Sequence, residues 1–145
     1  MLDNIYNKRI LELAADIPRL GRLEGADASA TAHSKLCGST ITVDLRLREG
    51  KVADYAQNVR ACALGQAAAS VMARNIIGAT PPELRDLRDD MRRMLKEKGP
   101  PPTGKWADLV VLEPVRDYKA RHASTLLVFD AVVEALGKID GAPLA

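Results

Sequence analysis

The stretch that decides the fold begins at Thr40 and reads TITVDLRLREG to Gly50. Apolar side chains occupy every second position over residues 41–47, and this strict alternation predicts a half-buried β-strand. Glu49 and Gly50 supply a turn, because glycine tolerates the positive φ that a tight hairpin requires. Residues 51–60 are therefore predicted to run back antiparallel to the first strand.

The two cysteines of the chain lie on either side of this hairpin. Cys37 comes just before the first strand and Cys62 just after the second, so the hairpin should bring both to its open end. Cys62 also opens a predicted helix, where exposed amides and the helix dipole favour a thiolate. A thiolate binds soft metals or attacks sulfur, whereas a free cysteine can also be a small buried hydrophobe. The residues alone leave both interpretations open.

The flanking segments predict an α+β domain in which a three-stranded antiparallel sheet packs against several helices. Residues 27–35 alternate alanine with polar residues, which predicts another strand whose small face suits a closely packed helix. Helices are predicted over residues 4–17 with Asp3 or Asn4 as cap, from Ala63, directly after Cys62, to a stop at Gly78, from a Thr80 cap onward, over residues 106–112, and over residues 123–137. Residues 1–137 are expected to form one domain, followed by a short, frayed tail at 138–145.

Composition excludes several classes of function. With 145 residues, 47% of them apolar, the chain can bury a real core. A net charge of +2 and 3% aromatic residues argue against nucleic-acid binding. No apolar run approaches a membrane span and the N-terminus lacks a signal-peptide core. We therefore expect a cytoplasmic protein with no membrane partner, whose thiols are reduced.

Four further residues are of types that can take part in catalysis or binding, and the sequence favours a structural or solvated role for each. Asp44 and Asp54 lie roughly opposite each other on the hairpin, and the pattern predicts two solvated charges rather than an acid/base pair. His33 is expected to point away from the alanine face of its strand. Gly65 is interpreted as a packing residue, because the spacing of a phosphate-binding loop is missing around it.

Four segments, taken in order, carry a resemblance to a known family. Leu36-Cys37-Gly38 ahead of an alternating hairpin is similar to a first ligand loop, and Cys62-Ala63 at the start of a small-residue helix is similar to a second. The insert over residues 80–106 and the final segment over residues 112–136 complete the series. Together they resemble an iron–sulfur cluster assembly scaffold of the NifU N-terminal/IscU/SufU-like family, whose SufU branch has such an insert.

The ligand set is degenerate with respect to that family. Ser39 stands where the family has the aspartate of Cys-Gly-Asp, and the gapless match places Arg121 on the family arginine and Ser124 on the third cysteine. A neutral hydroxyl is a poor ligand for zinc or iron. A shift of one or two residues instead brings His122 to the place where IscU-like members have a histidine.

The resemblance implies a scaffold and not an enzyme in the ordinary sense. Its ligands would be Cys37 and Cys62, with His122 as a third metal ligand, and its cargo an iron–sulfur cluster, iron or zinc, or accepted sulfur. A cysteine desulfurase would be the donor partner and apo-proteins the acceptors. Two alternatives stay open: metal-free sulfur transfer in the manner of SufE, and a degenerate scaffold that serves as a binding or regulatory module.

Overall fold

The computed structural model describes residues 7–35 and 38–140. One antiparallel sheet has the order β1-β2-β3 and carries helices on one face, which confirms the predicted α+β fold. The strands are β1 (Ala28–His33), β2 (Thr40–Arg48) and β3 (Lys51–Arg60). The α-helices are α1 (Lys8–Ala15), α2 (Ala63–Asn75), α3 (Pro81–Lys96) and α4 (His122–Asp140). Two 3₁₀ segments, Gly104–Asp117 and Lys119–Arg121, connect α3 to α4.

The central hairpin has the predicted antiparallel pairing and turn, and its register shifts at an irregularity between Arg46 and Leu47. Thr40 pairs with Arg60 at its open end. Glu49 and Gly50 have φ values of 55° and 76°, as a type I′ turn requires for its twist to match that of the strands. The side chains that β2 directs toward the helices are fully buried: Ile41, Val43 and Leu45.

The alanine face of β1 is covered by α4, as predicted, and Ala30 is buried beneath it. His33 points to the opposite face and its Nδ1 lies 2.9 Å from Thr40 Oγ1. Helix α4 continues beyond Gly137 to Asp140, because Ile139 packs against the core and Lys138 Nζ donates to Ser29 O at 2.7 Å. The first residues of the predicted tail are therefore helical, and residues 141–145 lie outside the described part.

Helix α1 is shorter at both ends than the pattern predicts. Asn7 is its cap and accepts a hydrogen bond from Ile10 N at 3.0 Å. The helix ends at Ala15, three residues before Pro18. The predicted caps Asp3 and Asn4 lie outside the described residues.

The segment before α4 differs from the prediction. The predicted helix at 106–112 is replaced by the longer 3₁₀ segment Gly104–Asp117. Pro114 has no N–H for an α-helical hydrogen bond, and the buried side chains recur every three residues, which is the 3₁₀ repeat. These buried side chains are Trp106, Leu109, Leu112 and Val115.

Helix α3 begins with the predicted capping box. Thr80 Oγ1 accepts from Glu83 N at 3.3 Å, and Glu83 Oε1 accepts from Thr80 N at 3.5 Å. Trp106 Nε1 donates to the other carboxylate oxygen of Glu83 at 2.9 Å, which ties the 3₁₀ segment to the start of α3. Across residues 7–35 and 38–140, no helix has the length and apolar character that crossing a bilayer requires.

Candidate functional site

Cys62 is the N-cap residue of α2, two residues after the end of β3. Its backbone is extended, and its carbonyl accepts the helical hydrogen bond from Gln66 N at 2.9 Å. The side chain makes no capping hydrogen bond and is half-buried. Cys62 therefore precedes the amides at the start of the helix, and its sulfur is not used to satisfy them.

Ser124 lies in the first turn of α4 and contacts this sulfur. Its Oγ is 3.5 Å from Cys62 Sγ, and its residue is only 1% exposed. The same hydroxyl donates to Arg121 O at 3.2 Å. The residue that the gapless match places on the family's third cysteine is thus the one that the fold brings to Cys62.

Gly65 allows this approach of the two helix starts. A Cβ atom at this position would lie 2.8 Å from Ala61 Cβ and 3.0 Å from Ser124 O. The second distance is to backbone, which a side-chain rotation cannot relieve. The close packing of α2 against α4 at the site therefore depends on a residue without a side chain, as its interpretation as a packing residue anticipated.

His122 lies at the first position of α4 and is 7% exposed. Its Nε2 is 3.0 Å from Val115 O and 3.2 Å from Arg116 O, so in the tautomer with a proton on Nε2 it joins the 3₁₀ segment to α4. Metal ligation through Nε2 would break these contacts. The role of His122 as a metal ligand remains a prediction, with Nδ1 as the ring atom that could fulfil it.

Leu36 and Cys37 lie outside the described residues, but both ends of their loop are placed. Ser34 N donates to Ser39 O at 2.8 Å, and Gly38 N donates to Ser34 O at 2.9 Å. These bonds close the loop at the end of the sheet where β3 leads into Cys62. Ser39, at the position of the family aspartate, is buried. That Cys37 and Cys62 share one site remains a prediction.

A metal ion at Cys62 would need a ligand from outside the described set. In that set, no three His, Cys, Asp or Glu side chains are grouped closely enough to hold a metal ion. Cys37 lies in the gap between the two described ranges, and an exogenous thiol or water is the other source of a ligand.

The prediction for Asp44 is wrong, because this carboxylate is buried and not solvated. It is 1% exposed and accepts hydrogen bonds from Arg22 Nε at 2.8 Å, Arg22 Nη2 at 3.0 Å, Leu23 N at 2.9 Å and Ser29 Oγ at 2.5 Å. Burial alone would raise its pKa, but the bonds from Arg22, Ser29 and Leu23 outweigh burial and lower the pKa to about 2. This group fixes the loop before β1 to the sheet, so its role is structural.

Comparison with known proteins places the chain in a family. The model of the NifU-like N-terminal domain matches residues 5–125. The chain is 28% identical over 135 residues to a Thermotoga maritima protein named iron–sulfur cluster assembly scaffold protein IscU, covering 93% of this chain and 94% of that one. A protein of the same name from Streptococcus pyogenes serotype M1 is 25% identical over 135 residues, with 93% and 84% covered.

Solved structures agree with this comparison. The N-terminal NifU-like protein from Brucella abortus, described as nitrogen-fixing, is 62% identical, has a TM-score of 0.95 and covers 98% of this chain and 99% of its own. FiSufU from Fervidobacterium islandicum AW-1 shares the fold, with a TM-score of 0.84, 22% identity and coverage of 92% and 98%. With 121 of 145 residues inside the family model, the chain belongs to the NifU-like N-terminal domain family.

Proposed function

We propose that this chain is an iron–sulfur cluster assembly scaffold, and not an enzyme, that takes up iron, zinc or sulfur through Cys62 and Cys37 and passes it to acceptor apo-proteins. A cysteine desulfurase would be the sulfur donor. Family membership and the scaffold names of its relatives support the proposal. The observation that carries it is the sulfur of Cys62, half-buried at the start of α2 and unused in capping.

The distance between Cys62 and Ser124 has the scale of a metal site. Two thiolates on one tetrahedral zinc ion lie about 3.8 Å apart, since each Zn–S bond is about 2.3 Å. The Sγ–Oγ distance of 3.5 Å is close to that value. A serine at this position contributes a neutral hydroxyl where a thiolate would bind tightly. We therefore expect cargo to be held more weakly than by three thiolates, which suits transient carriage.

The Ser124 contact also favours a second candidate function, metal-free sulfur transfer. The Cys62 thiolate would attack the terminal sulfur of a donor persulfide, R–S–SH, forming a new S–S bond and breaking the donor's S–S bond. The products are the Cys62 persulfide, Cys62–S–SH, whose terminal sulfur keeps its proton, and the donor thiolate, R–S⁻, so no external oxidant or reductant is consumed. The Ser124 hydroxyl, 3.5 Å from the attacking sulfur, can donate a hydrogen bond to the thiolate, and this step needs no metal ligand.

Metal and acid-labile sulfide content of the anaerobically purified protein tests the proposal. We expect about one metal ion or one cluster per chain, lost in both Cys62→Ala and Cys37→Ala. Ser70→Ala is a matched control, because Ser70 is buried in α2 but donates to Asp16 O. Metal that persists in the cysteine variants would contradict the assignment. A metal-free protein whose cysteines accept sulfur from a persulfide donor would select the transfer function. A protein that contains no metal and whose cysteines do not react would instead be interpreted as a binding module.

Ser124→Cys separates the two functions further. The added thiol would lie near Cys62 Sγ at the separation that one tetrahedral metal spans. A scaffold site should then bind zinc at least about tenfold more tightly, because a thiolate replaces a neutral hydroxyl. Unchanged zinc affinity in reduced protein would count against a metal site at Cys62.

A further inference from the structure

We propose that an open groove next to the thiol site binds an acidic segment of a partner protein. The groove lies between the end of α3 and the start of α4 and has a volume of about 820 Å³. We call it the basic groove, and its charged and exposed lining consists of Lys96, Lys98, Arg116, Lys119, Ala120 and Ala123.

Positive charge is concentrated in the basic groove. The whole chain is nearly balanced, with 21 basic and 19 acidic residues, yet the groove lining contains four cations and no carboxylate. Lys96, Lys98 and Lys119 are exposed, and none forms an ion pair with another residue in the described ranges. Lys96 also interacts electrostatically with the Asp130 carboxylate beside the groove. Lys98 and Lys119 are therefore the two charges of the groove most available to an outside partner.

Helix stability explains only part of this arrangement. Cations near the end of α3 interact favourably with the helix dipole, which accounts for Lys96 and Lys98. Arg116 and Lys119 belong to the two 3₁₀ segments, so they are not part of the C-terminal end of α3. Their presence on the opposite wall makes the groove basic on both sides.

Arg116 is held in place before any partner binds. Its Nη2 donates to Gly99 O at 2.9 Å and lies 3.4 Å from Glu113 Oε2. Glu113 offsets part of the Arg116 charge, but it also fixes the side chain. A partner would therefore lose little conformational freedom of this residue on binding.

The chemistry of the lining favours a peptide over other anions. Ala120 and Ala123 expose apolar surface between the cations, and Leu95 is buried beneath them. The lining contains no Phe, Tyr or Trp, and single-stranded nucleic acid binds largely by stacking on such rings. A free phosphate would fill little of a groove this size. A peptide that alternates carboxylates with aliphatic side chains matches both the cations and the exposed alanines of the lining.

The basic groove is one residue away from the thiol site in sequence. Ala123 lines the groove, and Ser124 contacts Cys62 Sγ at 3.5 Å. A partner segment in the groove would therefore hold its protein beside Cys62. Peptide binding itself does not require the thiol, so this inference does not depend on the proposed function.

Fluorescence anisotropy with a fluorescein-labelled peptide of alternating Glu, Asp and Leu tests the inference. The double variant K98E/K119E should bind the peptide about tenfold more weakly at low salt, because two attractive charges become repulsive. The control R48E/K51E changes net charge equally, at two exposed residues beside the hairpin turn, and should stay within about twofold. In NMR spectra of isotope-labelled protein, the chemical-shift changes caused by the peptide should centre on Ala120 and Ala123.

Several outcomes would overturn the inference. Peptide affinity that falls equally in K98E/K119E and R48E/K51E would do so, as would a Gln/Asn/Leu peptide that binds as tightly as the acidic one. Failure of the acidic peptide to bind at low salt would also overturn it. So would an oligothymidylate that displaces the labelled peptide from Lys98 and Lys119 more effectively than unlabelled peptide does. Cys62→Ala should retain wild-type peptide affinity. That result keeps the test of the groove separate from the test of the thiol chemistry.

Discussion

Asp44 and Cys62 are two side chains of chemically versatile types in the same small domain, and the fold surrounds them in opposite ways. Asp44 is 1% exposed and its oxygens accept four hydrogen bonds. Cys62 is half-buried, and Ser124 Oγ approaches its sulfur at 3.5 Å. A saturated polar group stabilises one structure, whereas an undersatisfied one remains available for a new bond. The difference separates a structural residue from a candidate site residue.

The largest effect is expected at the saturated group. Asp44→Asn removes the charge that Arg22 binds and places an amide where Leu23 N–H needs an acceptor. We expect the free energy of unfolding to fall by about 2–3 kcal/mol, since hydrogen bonds to charged groups contribute about 1.5–3 kcal/mol each and Arg22 can be resolvated. Urea unfolding followed by circular dichroism measures this change.

Asp54 provides the matched control for that substitution. Its ion pair with Arg46 spans 2.8 Å, and the two side chains are 44% and 37% exposed. Asp54→Asn should lower stability by only about 0.5 kcal/mol, because exposed ion pairs contribute little. Equal losses in the two variants would contradict the distinction between a buried and a solvated carboxylate.

Lowering the pH should remove the contribution of Asp44 to the free energy of unfolding. The pKa of Asp44 is lowered to about 2 from a usual value of 3.8, so the folded state binds its proton less readily than the unfolded state. Its contribution, about 2 kcal/mol, is complete above the unfolded pKa and is lost as pH falls from about 4 toward about 2. The stability difference between wild type and Asp44→Asn should shrink over that range, and a constant difference would argue against the lowered pKa.

Gly65→Ala should have a smaller effect, and it tests the packing at the thiol site. In a helix interior, alanine is more favourable than glycine by about 1 kcal/mol. However, the new methyl would lie 3.0 Å from Ser124 O, and overpacking of this kind costs about 1–3 kcal/mol. We expect a net loss of about 1 kcal/mol in thermal unfolding. A more stable variant would show that α4 can move away from α2 without loss.

The sequence predicts the hairpin and the cap position of Cys62 well, because both follow from local rules. Alternation over residues 41–47 sets the strand, and the residues after Cys62 set the helix that it opens. The burial of Asp44 could not be predicted in this way. It depends on Arg22, which is 22 positions away and comes from an irregular loop.

The region before α4 shows a second limit. Its apolar residues recur every three positions, close enough to the 3.6-residue period to predict an α-helix. The Ser124–Cys62 contact joins residues 62 positions apart, and only the family resemblance suggested it. For His122, no sequence pattern indicates that two backbone carbonyls lie within hydrogen-bond distance of its Nε2.

The smallest expected effect on stability, at Ser124, is the sharpest test of the comparison. Arg121 O accepts from both Ser124 Oγ at 3.2 Å and Thr125 Oγ1 at 2.8 Å. The Ser124 hydrogen can therefore turn to the sulfur of Cys62 when a thiolate forms, without leaving that carbonyl unpaired. Ser124→Ala should cost less than about 1 kcal/mol of stability, yet slow iodoacetamide alkylation of Cys62 about twofold. Loss of one hydrogen bond of about 1 kcal/mol corresponds to about fivefold, and a more nucleophilic sulfur offsets part of it. Peptide mass spectrometry distinguishes Cys62 from Cys37.

Thr125→Val is the companion variant for that measurement, because it removes the other hydroxyl on the same carbonyl and leaves Ser124 beside the sulfur. It should lower stability, since Thr125 is fully buried, and it should also slow alkylation of Cys62, because the Ser124 hydrogen is then held by Arg121 O. Ser70→Ala, which removes a buried hydroxyl that donates to Asp16 O, is the control and should leave the rate near that of wild type. If Ser124→Ala left the rate unchanged or raised it, the hydroxyl would be a packing partner of the thiol and not a donor to it. Cys62 would then be a half-buried side chain without assistance, and the contrast with Asp44 would rest on exposure alone.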